Sequence, residues 1–329
     1  MPVRHNILDN AAARDSFIEG VLRLNRELID LDSHDVGITD GPNTQLSTWD
    51  LFVLWHYHTM RTQTPPGSAR NAAHRASVFL PWHRWMLLLL EASLQRVLGD
   101  STFGLPYWDW AADGDQPPAQ QPTLDLWNHL GHGPFVSDGP FAYTEDDPQT
   151  FRVRVWEHAR LGRVVASTRP LWRQLGAATS RLPTTAEVTA CVRHTRYDKD
   201  PWDNTPRDGL RNELEGNVGP GLHNRVHNWI GGDMGPGTSP NDPAFYLNHC
   251  NVDRIWEAWM VARGRRYEPD DSVADATLFR QRLNDPLLSM LTALENSDEE
   301  GPLISQMLDL SGYVDAARLP GYDRLPAVP

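Results

Sequence analysis

The chain has 329 residues and a formal net charge of −13. That length suits one large domain or two ordinary ones. Such acidity repels phosphate backbones and anionic lipid headgroups, so nucleic acid and membrane surfaces are not expected as partners. The two cysteines, Cys191 and Cys250, form no CxxC pair, which excludes a thiolate metal site and a disulfide-dense fold.

In chain order, the start Met1-Pro2-Val3-Arg4-His5-Asn6 has no charged segment followed by an apolar run. No signal peptide is read there, and the chain as given is expected in the cytoplasm unless a partner carries it out. Phe17, Val21, Leu24 and Leu28 recur at helical spacing and predict a first helix over 14–30. A second covers about 48–60. A third opens at Pro81 and ends before Gly99, and its run Met86-Leu87-Leu88-Leu89-Leu90 is far short of the ~20 apolar residues of a membrane span. Leu105-Pro106-Tyr107-Trp108-Asp109-Trp110 is aromatic without helical period. Residues 111–150 read as loop, and 180–220 are punctuated by Pro and Gly. A short helix is predicted over 221–230, stopping at Gly231-Gly232. A longer one follows from Asn241-Asp242-Pro243 to Gly264. The remainder is mixed, with an irregular tail from about 315, and strand signals are weak and short. The fold class read from this pattern is mainly α, with long loops around a helical centre.

Six of the 13 histidines fall in two clusters. His56 lies on the second helix, His74 in the following loop and His83 near the start of the third helix. His223 and His227 are four apart, which puts both imidazoles on one helix face, and His249 follows inside the next helix. Three imidazoles can hold one metal and leave positions open, but imidazole suits copper, zinc, iron and nickel alike. No carboxylate stands at ligand spacing, which argues against a two-histidine-one-carboxylate iron site.

The segments Phe79-Leu80-Pro81-Trp82-His83-Arg84 and His223-Asn224-Arg225-Val226-His227, with Ser239-Pro240-Asn241-Asp242-Pro243 and Phe245-Tyr246-Leu247-Asn248-His249 after them, resemble the two copper signatures of bacterial tyrosinases. Val3-Arg4-His5-Asn6 and Pro106-Tyr107-Trp108-Asp109-Trp110 look like the same family. The resemblance spans roughly 1–315, with insertions near 30–48 and 140–200. It implies a type 3 copper fold, in which a central four-helix bundle holds a dicopper site, wrapped by long loops with minor short strands, as one domain over 1–329. His56, His74 and His83 are similar to the first-copper ligands, and His223, His227 and His249 to the second-copper ligands.

The implied activity is ortho-hydroxylation of monophenols and oxidation of ortho-diphenols to quinones with dioxygen. An oxidase of catechols or ortho-aminophenols without hydroxylation is the alternative, and a haemocyanin-type oxygen carrier the more distant one. By the same resemblance Glu215 and Asn224 are similar to a pair that holds a water and deprotonates monophenols. Phe245 matches a phenylalanine under the substrate ring. Asn228 stands where the family varies and tunes entry. Asp253 is expected either to orient a ligand ring or to form a structural ion pair. Asn248 replaces a common histidine, and Ala72-Ala73 before His74 rule out a cysteine crosslink, leaving that loop less restrained. The other seven histidines are read as structural or surface residues. A separate caddie or copper-delivery protein, which in some relatives places an aromatic over the coppers, is a candidate partner, and Tyr322 of the tail is a candidate plug for the entrance.

Overall fold

The computed structural model describes residues 1–219, 221–295 and 297–329. A short strand β1 (Val3–Arg4) leads into α1 (Ala11–Arg26), whose first turn is capped by the Asn10 side chain accepting the Ala13 N–H. Helix α1 buries Phe17, Val21 and Leu24 as their spacing predicts, but it stops at Arg26. Residues Leu28–Asp32 form β2, paired antiparallel with β3 (Gln45–Ser47), so the helix predicted to residue 30 is too long. Leu28 is half exposed and sits opposite Ser47 in this ladder. It continued the helical spacing without belonging to the buried stripe.

Helix α2 (Thr48–Arg61) starts at a reciprocal capping box of Ser47 and Asp50. Helix α3 (Phe79–Leu98) starts two residues before Pro81, which sits in the first turn where its missing N–H costs nothing, and ends at Gly99 in left-handed backbone. The stretch 111–150, read as loop, contains α4 (Trp110–Gly114) in part and α5 (Asp125–Leu130). An antiparallel hairpin follows, β4 (Val153–His158) with β5 (Arg163–Arg169). Helices α6 (Thr185–Cys191) and α7 (Leu210–Glu215) lie within 180–220. Helices α8 (Leu222–Ile230) and α9 (Ala244–Arg263) stand where they were predicted. The chain closes with α10 (Met290–Glu295), α11 (Ile304–Leu308) and β6 (Gly321–Tyr322).

Helix α3 packs against α1 and α9, and α8 against α9. At the α1–α3 crossing a side chain on Gly20 would come within 2.7 Å of the Leu94 side-chain tip, so glycine lets the helices meet with Leu94 in place. Helix α2 joins α3 through Trp55, whose ring lies 4.8 Å from Trp82 and 5.0 Å from Trp85. A buried indole of this kind removes about 200 Å² from water, about 5 kcal/mol of transfer free energy before ordering entropy is subtracted. Among the described residues the protein is mainly helical, with α2, α3, α8 and α9 as the central bundle and three two-stranded sheets at its margins.

The tail is not irregular throughout. Strand β6 pairs parallel with β1, and the Tyr322 hydroxyl donates to Asp253 at 2.6 Å. Asp253 also accepts from Arg4 and Arg84, and Arg4 reaches Glu91. Asp253 is therefore the structural ion-pair member, joining the N-terminus, α3, α9 and the tail. Among the described residues no helix is long and apolar enough to cross a membrane.

Candidate metal centre

The bundle brings six imidazoles together. His56 comes from α2, His83 from α3, His223 and His227 from α8 and His249 from α9. His74 comes from the loop between α2 and α3. The donor atoms of His56, His74 and His83 lie within 4.8 Å of one another, and so do those of His223, His227 and His249. The two trios adjoin, since the rings of His83 and His249 stack at 4.2 Å.

Four rings are oriented by main-chain carbonyls. The Nδ1 of His56 donates to Gly237 O (2.7 Å), that of His83 to Phe79 O (2.8 Å), that of His223 to Glu215 O (3.0 Å) and that of His227 to Met234 O (2.7 Å). A proton fixed on Nδ1 leaves the Nε2 lone pair free. The Nε2 atoms of His56, His83 and His227 are buried without a protein partner. Those of His223 and His249 face each other at 3.0 Å, a pair of lone-pair donors aimed at one point. Burial pushes His56 down to about 3, against the raising bond to Gly237, and His227 down to about 4. It holds His74, His83, His223 and His249 well below the ordinary imidazole range. Neutral, convergent and unpartnered nitrogens are what a metal ion requires. The donor set fits two metals with three nitrogens each.

The loop carrying His74 is not loose. Asn71, Ala72, Ala73 and His74 are buried. The Asn71 side chain accepts the Ala73 and His74 N–H groups, and the Arg75 N–H donates to Glu215 Oε1 at 2.6 Å. The expectation of a less restrained loop is corrected: hydrogen bonds hold it where a crosslink is absent. Arg75 sits in left-handed backbone (φ 56°) to make this turn.

Glu215 ends α7 fully buried, with Oε2 accepting from Arg211 at 3.0 Å. Burial raises its carboxyl above the ordinary range, and the Arg211 guanidinium opposes that shift. Asn224 accepts from His223 Nδ1 at 3.1 Å. Gly216 (φ +103°) lets α7 approach it, because a side chain there would meet Asn224 Cβ at 2.9 Å. Asn224 and Asn228 line a cavity of about 260 Å³ with His56, His74, His223 and His227. Phe245 is wholly buried, its ring 4.1 Å from His249 and 5.0 Å from His56. Asn248 is buried beside His249, with neither amide atom partnered in the protein.

The seven other histidines join neither trio among the described residues. His129, His132 and His194, for example, pair with Asp125, Asp138 and Glu213. Tyr322 is tied to Asp253 and does not line the cavity, so its expected role as a plug is withdrawn.

Sequence reasoning missed Met60 and Phe79. Met60 lines the cavity one helical turn after His56, and the i, i+4 spacing would have found it. Phe79 lies 4.8 Å from His83 and 5.0 Å from His223, between the trios. The orienting carbonyls of Met234 and Gly237 leave no mark in side-chain identity.

A family model described as the common central domain of tyrosinase matches residues 46–262. A tyrosinase of Streptomyces antibioticus is 42% identical over 220 residues, covering 64% of this chain and 72% of that protein. A tyrosinase of Streptomyces lincolnensis is 38% identical over 247 residues, covering 73% and 82%. Among solved structures, a polyphenol oxidase from Thermothelomyces thermophila superposes with a TM-score of 0.65 at 22% identity, covering 98% of this chain and 89% of that one. A functional unit of octopus haemocyanin shares the fold at a TM-score of 0.54 and 16% identity, covering 98% and 68%. Fold and site define a type 3 copper oxidoreductase that takes two copper ions, one for each trio. The chain belongs to the tyrosinase family.

Proposed function

We propose that this copper oxidase hydroxylates monophenols at the ortho position and oxidises the resulting ortho-diphenols to ortho-quinones with dioxygen. Action on phenols with dioxygen follows from the family. The hydroxylase half rests on one observation: Glu215 O and Asn224 Oδ1 both accept from His223 Nδ1, at 3.0 and 3.1 Å. The main-chain carbonyl of Glu215 and the cavity-lining amide of Asn224 thus meet one edge of one imidazole, and the residue anchored there carries a buried carboxyl.

In this reading His56, His74 and His83 hold the first copper, and His223, His227 and His249 the second. When bound, the two ions would supply a two-electron couple between the phenol and dioxygen. A phenol has a pKa near 10 and enters the cavity carrying its proton. Asn224 orients the incoming hydroxyl or a water beside it, and Glu215 behind takes the proton. Phe245 packs on His249 and His56, keeping both rings aligned below the substrate ring. Asn228, exposed at the rim, decides what passes. The reading includes copper delivery by a separate carrier protein, since five of the six ligand residues are buried. Full uptake from free copper salt would remove the need for that carrier.

Glu215→Gln keeps an oxygen to accept the Arg75 N–H and removes the base. Monophenol turnover should fall by roughly 100-fold while ortho-diphenol turnover changes by less than about threefold. Equal losses on both substrates would show Glu215 to be only a brace and overturn the assignment. One observation favours the second reading, an oxidase of ortho-diphenols or ortho-aminophenols alone: Arg75 N–H and Arg211 already engage both carboxylate oxygens of Glu215. Rates on tyramine against its catechol separate the two, and copper analysis should give two ions per chain.

A further inference from the structure

Beside the metal-centre cavity lies a second, larger concavity of about 540 Å³. Gly235 and Pro236 belong to the walls of both, so the two spaces are neighbours across one short stretch of chain. Trp156, on the β4–β5 hairpin, and Trp172, just after it, give the larger groove aromatic walls. Phe135 stacks on Trp172 at 6.3 Å and 23° and is itself 57% exposed.

The polar edges of this groove are already satisfied. Trp156 Nε1 donates to Ser167 O, and the Arg169 guanidinium lies 4.6 Å over its ring, which still lines the groove. Arg169 pairs with the buried Asp233, which also accepts the Trp172 N–H at 2.8 Å. A side chain on Gly232 would strike Trp172 O, so glycine is needed for this close approach. The walls are thus pre-formed rather than assembled around a ligand. The charge is also biased. Asp233 neutralises Arg169, and Glu157 on the same wall leaves the groove net negative.

The first cavity lies below the ≈ 300–1,000 Å³ of sites that enclose a whole drug-sized ligand. It suits a single phenol ring, and whatever is attached to that ring must lie elsewhere. We propose that the Trp156–Trp172 groove binds the second aromatic ring of the substrate. The preferred substrates are then two-ring phenols whose para arm is neutral or cationic, and a carboxylate on that arm is disfavoured. This rests on the phenol-oxidase reading and names the substrate class of that site.

The test uses ortho-diphenols, so a failure of monophenol hydroxylation does not touch it. On copper-loaded protein, kcat/KM is measured for 4-benzylcatechol and 4-methylcatechol. The two-ring to one-ring ratio should fall about tenfold in Trp172→Ala, the scale of one lost aromatic stack. It should fall less in Phe135→Ala, a smaller lesion at an exposed ring that decides the matter if Trp172→Ala does not fold. A carboxylate on the benzyl ring should lower the wild-type ratio. Titration of copper-free protein with 4-benzylphenol should give heat that Trp172→Ala or Phe135→Ala diminishes. An unchanged ratio in every folded variant, or no heat in the titration, overturns the proposal. Concentration-dependent dimerisation abolished by Trp172→Ala would assign the groove to a second copy and also overturn it. If neither catechol is oxidised, the phenol-oxidase reading fails, while the calorimetry still reports on the groove.

Discussion

Arg173 and Asp242 are both fully buried and joined by two hydrogen bonds, at 2.6 and 2.7 Å. Arg173 also donates to Leu130 O and Gly131 O, and Asp242 accepts the Ala244 N–H at the start of α9. Removing one partner leaves the other charge buried and uncompensated, which costs about 3–5 kcal/mol. Asp242→Ala should therefore lower the unfolding free energy by about that amount in urea. It should also weaken copper retention, because α9 carries His249. A loss below about 1 kcal/mol would mean that water reaches Arg173 in the variant. At this scale the six histidines were legible because they lie in or beside segments that resemble the two copper signatures, whereas imidazole spacing alone left the metal open. The role of Glu215 as a brace was not legible. Its bonds run to the Arg75 N–H and, through its own carbonyl, to His223, and neither contact depends on a spacing that sequence displays.

Long helices were legible and short elements were not. Helices α8 and α9 could be placed from glycine and proline punctuation together with the His223–His227 spacing, and α3 from Pro81 and Gly99. Helices α5, α6 and α7 span six or seven residues each, too few for a helical period to show against neighbouring turns. Strand β2 was taken for the end of a helix because its pairing partner, β3, lies more than ten residues away. Helix α6 shows what such a short element depends on. Its capping box joins Thr184 to Glu187, and Glu187 also pairs with Arg181 and with Arg225 of α8. Burial raises the Glu187 carboxyl, but Arg181, the Thr184 N–H and Arg225 outweigh it and hold the group down at about 2. A carboxyl whose folded value lies below its ordinary 4.5 adds stability above that pH and loses it as pH falls toward 2. Glu187→Gln should cost about 1–2 kcal/mol at pH 7. The gap from wild type should close between about pH 4.5 and 2 in a series of denaturation curves. A gap independent of pH would show that the carboxylate charge contributes nothing.

Across the whole molecule the two trios should couple the stability of the fold to its metals. Six neutral imidazoles, five of them buried, converge in two trios, so copper bound only by the folded state adds its binding free energy to stability. Stripping both ions with a chelator should lower Tm by roughly 10 °C, and adding copper back should restore it. An unchanged Tm would mean that the bundle holds its shape without them. The tail works at the same scale, since Tyr322 brings β6 onto the Arg4–Asp253–Arg84 cluster and ties the two ends of the chain to α3 and α9.

The stretch Met234–Gly237 carries two duties within four residues. Its first carbonyl grips His227 and its last grips His56, one imidazole from each trio, while Gly235 and Pro236 form the saddle between cavity and groove. A single added residue there would slacken one ligand of both coppers together, so such a variant should shed its metals as a pair and not one by one.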